Sequence, residues 1–156
     1  MAHYSETSKS RLATCELALQ KLFAVVILAF DHTILCGHRS EKLQEQAFRQ
    51  GRTRCRWPES NHNAEPSRAV DAGPYNPERK NVDWPDESVM ASLRNSPTAS
   101  RHIKTLCRWY YFGGFVMGCA HALGIKLRWG GDWDNDTLLH DQTFDDLPHF
   151  ELREDE

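Results

Sequence analysis

The 156-residue sequence has no hydrophobic run long enough to cross a membrane. The longest, Leu22–Phe30, spans nine residues, against about 20 for a spanning helix. That run starts late, after Glu6 and Glu16, and Asp31 follows it without a small-residue cleavage pattern. It is therefore a poor secretion signal and reads as buried core. The five cysteines (Cys15, Cys36, Cys55, Cys107 and Cys119) contain no CxxC pair. Their odd number argues against a disulfide framework or a cysteine-based zinc knuckle and fits a chain made in a reducing cytosol. A basic excess is also missing: 19 Lys and Arg stand against 22 Asp and Glu, a net charge of −3. Nucleic acid is thus not expected as a partner. No internal repeat, low-complexity linker or acidic tract breaks the chain. With 40% apolar and 26% charged residues, the composition is that of a globular domain, and the length suits one domain over residues 1–156.

What is present is an irregular alternation of helical and strand patterns. Residues Ser10–Phe30 read as a helix passing into a buried segment, with Leu12, Cys15, Leu19, Leu22, Phe23 and Val26 on one face and Ser8 or Ser10 as cap. Thr33–Cys36 is strand-like. Ser40–Gln50 reads as a helix with Ser40 as N-cap and Gly51 at its end. Arg52–Arg68 has loop composition. Ala69–Ala72 reads as a short buried strand closed by Gly73-Pro74, and Pro85 and Pro97 bracket a loosely patterned stretch. A long helix is expected from Thr98 to Leu123, with Ile103, Leu106, Tyr110, Met117 and Leu123 inward and Gly113-Gly114 marking a close approach or a break. Ile125–Trp129 and His149–Leu152 read as strands around an acidic loop. Without repeated βαβ units, the pattern predicts an α+β fold.

The chemistry-bearing residues are scattered. His62 and Asp71 flank a loop-to-strand segment, and Asp146 precedes His149 by three residues. Histidine nitrogens and carboxylate oxygens are zinc donors; a catalytic site uses three and leaves one position open. A neighbouring carboxylate can then take the proton of the attacking water. By spacing alone the signal is weak, because eight histidines and 22 acids form many chance pairs. Ser67 lacks a positioned base for a nucleophilic role. His38, His102, His121 and His140 lack comparable context.

Taken in order, however, Ser60-x-His62, Ala69-Val70-Asp71 and Asp146-x-x-His149 resemble the zinc D-Ala-D-Ala carboxypeptidase/L-alanyl-D-glutamate endopeptidase family, which includes the VanX and VanY dipeptidases. The similarity is greatest to its short phage endolysin branch. Gly37-His38-Arg39 with Gln44, Pro66–Asp71 with Pro74-Tyr75, Leu127–Trp133 and Asp146–Glu151 extend the resemblance over residues 4–153. It implies an α+β fold with a small antiparallel sheet and helices packed on one side, as in hedgehog and DD-peptidase domains. It implies one zinc held by His62, Asp71 and His149, with Asp146 as general base where other members carry Glu. It also places Arg39 near the scissile carbonyl, a role that suits a permanent cation. Asn61 stands where the family often has a basic residue.

Ser60 and Gln44 are expected to line or brace the cleft, Ser60 through a local hydrogen bond to the His62 loop. Glu151 shares a strand face with His149 and is a candidate to support it. Trp129 and Trp133 are candidates for a cleft wall or for core. The resemblance implies a zinc peptidase that cuts peptide stems of bacterial peptidoglycan, made in the host cytoplasm and acting once the inner membrane is breached. The expected molecule is monomeric, without membrane insertion or a separate wall-binding domain. The alternative is a non-catalytic zinc module for wall recognition or signalling. Asp132, Asp134 and Asp136 have the spacing of a calcium loop's first oxygen ligands, but Thr137 and Thr143 replace the Gly and Glu of an EF-hand. A solvated acidic loop is the plainer reading, and a regulatory calcium site that orders the loop leading to Asp146 and His149 is the alternative.

Overall fold

The computed structural model describes residues 2–85 and 97–153, with the side chains of 97–100 left aside. Most of the stretch between Pro85 and Pro97 lies outside the described residues. In chain order the elements are α1 (Glu6–Leu12), α2 (Leu17–Val26), β1 (His32–Cys36), α3 (Glu41–Arg49), a 3₁₀ turn (Asn61–Asn63), β2 (Ala69–Asn76), β3 (Asn81–Val82), α4 (Pro97–Ala122), β4 (Leu127–Trp129) and β5 (His149–Leu152). The strands form one antiparallel sheet in the order β1–β2–β5–β4, with β3 paired to the end of β2. The α+β expectation holds.

Alternation divides this sheet into two faces. Ile34, Val70, Ala72, Leu127, Trp129 and Phe150 turn to one side and are buried with Leu19, Leu22, Phe23 and Val26 of α2 and Trp109, Phe112, Val116 and Ala120 of α4. The ring of Phe150 packs edge-on against Phe23 and Phe112. Asp71, His149, Glu151 and Arg128 alternate with these residues and turn to the other side.

Several local expectations are corrected. The N-terminal apolar face is buried as predicted, but it belongs to two helices. The chain breaks at Ala13–Glu16 because Thr14 and Glu16 exchange backbone hydrogen bonds with Ser67. Ser5, not Ser8 or Ser10, caps α1 by accepting from the Ser8 amide. Ser40 occupies the N-cap position of α3 without a side-chain cap bond. Strand β2 does not stop at Gly73-Pro74: Tyr75 donates its amide to Asp31 and pairs onward with Val82. In α4, Leu106, Tyr110 and Met117 pack partly buried against the core as expected, Ile103 and Leu123 are exposed, and the fully buried stripe is Trp109, Phe112, Val116 and Ala120. Gly113 marks a close approach and not a break; a Cβ there would lie 2.3 Å from the Trp129 ring. All five cysteines are free thiols. Among the described residues, no helix is long and apolar enough to cross a membrane.

His32 carries a stability prediction. It is buried among Tyr4, Phe23 and Phe112. That burial lowers its pKa to about 4, although the Phe30 carbonyl favours the charged form. The unfolded chain takes up this proton near pH 6.5 while the native protein declines it. Stability is therefore full above pH 6.5 and falls as pH drops toward 4, by on the order of 3 kcal/mol. Urea unfolding at pH 7 and pH 4 should show this extra loss in the wild type and not in His32→Gln. Equal slopes for the two proteins would refute it.

Candidate active site

The site is built where β2 and β5 pair. Asp71 stands directly opposite His149, and Ala69 opposite Glu151. Antiparallel pairing and the two-residue period thus place Asp71, His149 and Glu151 on one face. His62 arrives from the 3₁₀ turn. Ser60 accepts the His62 amide, and Asn63 reaches back to the Ser60 amide, closing a capping box.

His62 Nε2, Asp71 Oδ1 and His149 Nδ1 form a triangle with sides of 3.0, 3.2 and 3.2 Å. One face of a tetrahedron with metal–donor bonds of 2.0–2.1 Å has sides of about 3.3 Å. The outer atoms fix which nitrogen turns inward. His62 Nδ1 lies 2.7 Å from the Gly37 carbonyl oxygen, which can only accept, so Nδ1 carries the proton. His149 Nε2 lies 3.1 Å from a Glu151 carboxylate oxygen and is likewise the donor. In the neutral rings, two nitrogen lone pairs and a carboxylate oxygen therefore converge on one point. Such a set of acceptors fits a cation, and outer partners of this kind orient metal-binding imidazoles. Without one, protons take its place. Burial favours the neutral imidazoles, but the charge and hydrogen bond of Asp71 overcome it and raise His62 to about 10. His149 is also raised against its burial, through hydrogen bonds to Asp71 and Glu151. Asp71 is held well below the usual carboxylate range; burial opposes this, and the two histidines outweigh it.

The neighbours of this triangle are themselves tied down. Glu151 accepts from Asn61 Nδ2 at 2.7 Å and from Arg128, whose Nε is 2.6 Å away. Burial opposes its ionisation, but these donors and His149 hold it at about 2. Arg39 Nη2 meets the outer oxygen of Asp71 at 3.1 Å, and Nη1 meets Gln44 Oε1 at 3.2 Å. Gln44 is fully buried and donates to the Cys55 carbonyl, so it braces Arg39 from behind. Ser60 serves as the local support expected of it.

Asp146 sits beside the triangle because a tight turn brings it there. The His149 amide donates to the Asp146 carbonyl, and the Asp146 amide to Gly130. Gly130 lets the backbone approach closely: a Cβ there would lie 2.3 Å from the Asp146 carbonyl oxygen. The Asp146 carboxyl is raised by burial and by the charge of Asp71, partly offset by His149, His62 and Arg39. Asp145, next to it, is exposed.

A cleft of about 1320 Å³ opens over these residues and includes Arg39, Asp146 and Trp133 in its wall. Trp133 stacks on His149 with 5.5 Å between centroids. Trp129 does not line the cleft. It is buried, and its indole donates to the Leu147 carbonyl, which anchors the turn after Asp146.

A scan against family models matched the model described as phage L-alanyl-D-glutamate peptidase over residues 1–153. The chain belongs to that family. It is thus a peptidoglycan-hydrolysing peptidase of phage type, the class toward which the ordered motifs pointed. Among solved structures, the peptidase resembles the L-Ala D-Glu endopeptidase ChiX of Serratia marcescens at 20% identity and a TM-score of 0.64. The match covers 96% of this chain and 89% of that one. At this identity the likeness concerns the fold. No curated protein matches the chain.

Two features of the peptidase escaped sequence reasoning. The Cys36 sulfur, a His62 nitrogen and an Asp71 oxygen lie within 4.8 Å of one another. Strict alternation would put Cys36 on the core face with Ile34, but a register shift between them turns it to the site. Arg128 was not singled out because its pairing depends on the register that sets it opposite Glu151. Apart from the residues that line the cleft, Asp132, Asp134 and Asp136 bring carboxylate oxygens within 4.8 Å of one another, as their spacing suggested. Asp132 also accepts the backbone amides of Asp136 and Thr137.

Proposed function

We propose that the protein is a zinc-dependent endopeptidase that hydrolyses the L-Ala–D-Glu bond of peptidoglycan stems. The observation that carries this reading is the convergence of three oriented acceptors on one point beside a half-buried carboxyl. His62, Asp71 and His149 would hold the zinc. When bound, zinc would polarise the scissile carbonyl and acidify a water molecule. Asp146 takes the proton of the attacking water and later delivers it to the leaving amine. Arg39, anchored on Asp71 and Gln44, stabilises negative charge developing on the carbonyl oxygen. The family description supports the choice of bond. As a phage lysis enzyme, the protein would reach the wall once the inner membrane is opened. Calcium is the proposed occupant of the Asp132, Asp134 and Asp136 cluster, where it would order the loop leading to Asp146.

A second reading draws on Cys36: as a fourth donor it would close the metal site and make it structural. Digestion of purified peptidoglycan, with mass analysis of the released ends, separates the two. The endopeptidase should expose new D-Glu amino termini, lose this activity to a chelator, regain it with zinc, and keep it in Cys36→Ser. A zinc-loaded wild type that releases no ends would favour the structural site.

A further inference from the structure

Five arginines line the cleft, and four of them have polar partners. Arg39 pairs with Asp71, and Arg128 with Glu151. Arg11 donates to the Ile34 carbonyl, and Arg52 to the Gln50 side chain. Arg54 differs from them. Among the described residues it makes no ion pair or side-chain hydrogen bond, and its guanidinium lies over the ring of Phe144, 4.4 Å from the centroid. Phe144 stacks in turn on Trp133, 6.3 Å away, and Trp133 on His149. One continuous stack thus leads from the candidate metal ligand along the cleft wall to Arg54.

A guanidinium over an aromatic face is held by the ring while its N–H donors point outward in its own plane. Those donors suit bidentate pairing with a carboxylate. Arg54 is exposed, so a solute can reach it. The substrate chemistry says which side of the bond would supply the partner. On the acyl side of an L-Ala–D-Glu bond, the alanine is joined through its nitrogen and carries no free carboxylate. Every free carboxylate of the stem lies on the D-Glu side.

We propose that Arg54, positioned by Phe144, binds a free carboxylate on the leaving-group side of the stem peptide and selects for it. This inference rests on the endopeptidase reading above. The carboxylate belongs either to the D-Glu residue itself or to a residue farther along the stem; both present the same chemistry.

Steady-state kinetics on synthetic muramyl stem peptides test it, with the zinc-loaded enzyme and three substrates. One carries all free carboxylates, one has the D-Glu carboxylate amidated, and one has the farther carboxylates amidated. The wild type should prefer the free acid, and one amidated substrate should lose about 10–100-fold in kcat/KM, the range for a hydrogen bond to a charged group. Arg54→Gln should lose a similar factor on the free acid, mainly through KM, and almost nothing on that amidated substrate. Arg54→Lys should recover part of the loss, and Phe144→Leu should show a weaker form of the Gln phenotype. Equal cleavage of all three substrates by the wild type overturns the inference and leaves the endopeptidase reading intact. So does an Arg54→Gln defect of the same size on every substrate. If the wild type cuts none of them yet releases other ends from whole peptidoglycan, the assigned bond is wrong and the inference falls with it.

Discussion

Exchange of Asp146 for Asn is expected to lower turnover on peptidoglycan about 10²–10⁴-fold, the usual share of general acid–base catalysis. Zinc content and fold should stay nearly unchanged, because Asn keeps the shape and the backbone turn holds its place through the Gly130 and His149 hydrogen bonds. The reason for the loss is specific. Asp146 is half-buried beside the proposed metal donors, where its carboxylate can meet the attacking water. Asp is one methylene shorter than the Glu of related enzymes, and the close approach at Gly130 helps to compensate for that reach. Asp145→Asn should have a much smaller effect, since that side chain is exposed. The comparison is kinetic, with zinc measured in both variants. An inactive Asp145→Asn would show that the neighbouring carboxylate is the base; full activity in both would remove the base altogether.

The second large effect is at the metal. His62→Ala should abolish wall-degrading activity and sharply weaken zinc binding, because it removes the one donor that comes from outside the sheet. Zinc should also stabilise the wild type against heat. At free zinc about 1,000-fold above its Kd, the linkage is worth about 4 kcal/mol, or a Tm change on the order of 10 °C for a chain of this size. The His62→Ala protein should show little of that change. It should still fold, since Leu19, Leu22, Phe23, Phe112 and Phe150 form a core independent of the site. Scanning calorimetry with and without zinc, alongside a wall-clearing assay, gives both readouts. Retained activity of His62→Ala in metal-free buffer would end the assignment.

The parts legible in the sequence were those governed by short periods. His149-Phe150-Glu151 alternates polar and apolar residues, so the face shared by His149 and Glu151 could be foreseen before any pairing was known. The N-terminal apolar stripe was equally plain. Illegible features were those set by tertiary contact. The bulge that turns Cys36 toward His62 leaves no mark in alternation. The inner face of α4 is legible only in part, at Leu106, Tyr110 and Met117, because apolar and aromatic residues surround much of that helix and only the sheet beneath it selects Trp109, Phe112, Val116 and Ala120 for full burial. Trp129 is open to cleft wall or core by sequence; packing against Gly113 selects the core. Arg54 and Phe144 sit on two loops with no shared period, so their meeting is a property of the folded chain.

The place of β5 in the sheet has a further consequence for the timing of assembly. Its four residues lie between β2 and β4, yet β2 and β4 are made earlier. While the chain is being synthesised, the middle slot of the sheet stays open until His149–Leu152 leaves the ribosome. His149 follows Asp71 by 78 positions, so no nascent segment short of β5 can assemble the triangle of proposed ligands. The same late strand brings Phe150 to the core and Glu151 to the site. Under the proposed metal assignment, the strand that completes the middle of the sheet is thus also the one that completes the donor set.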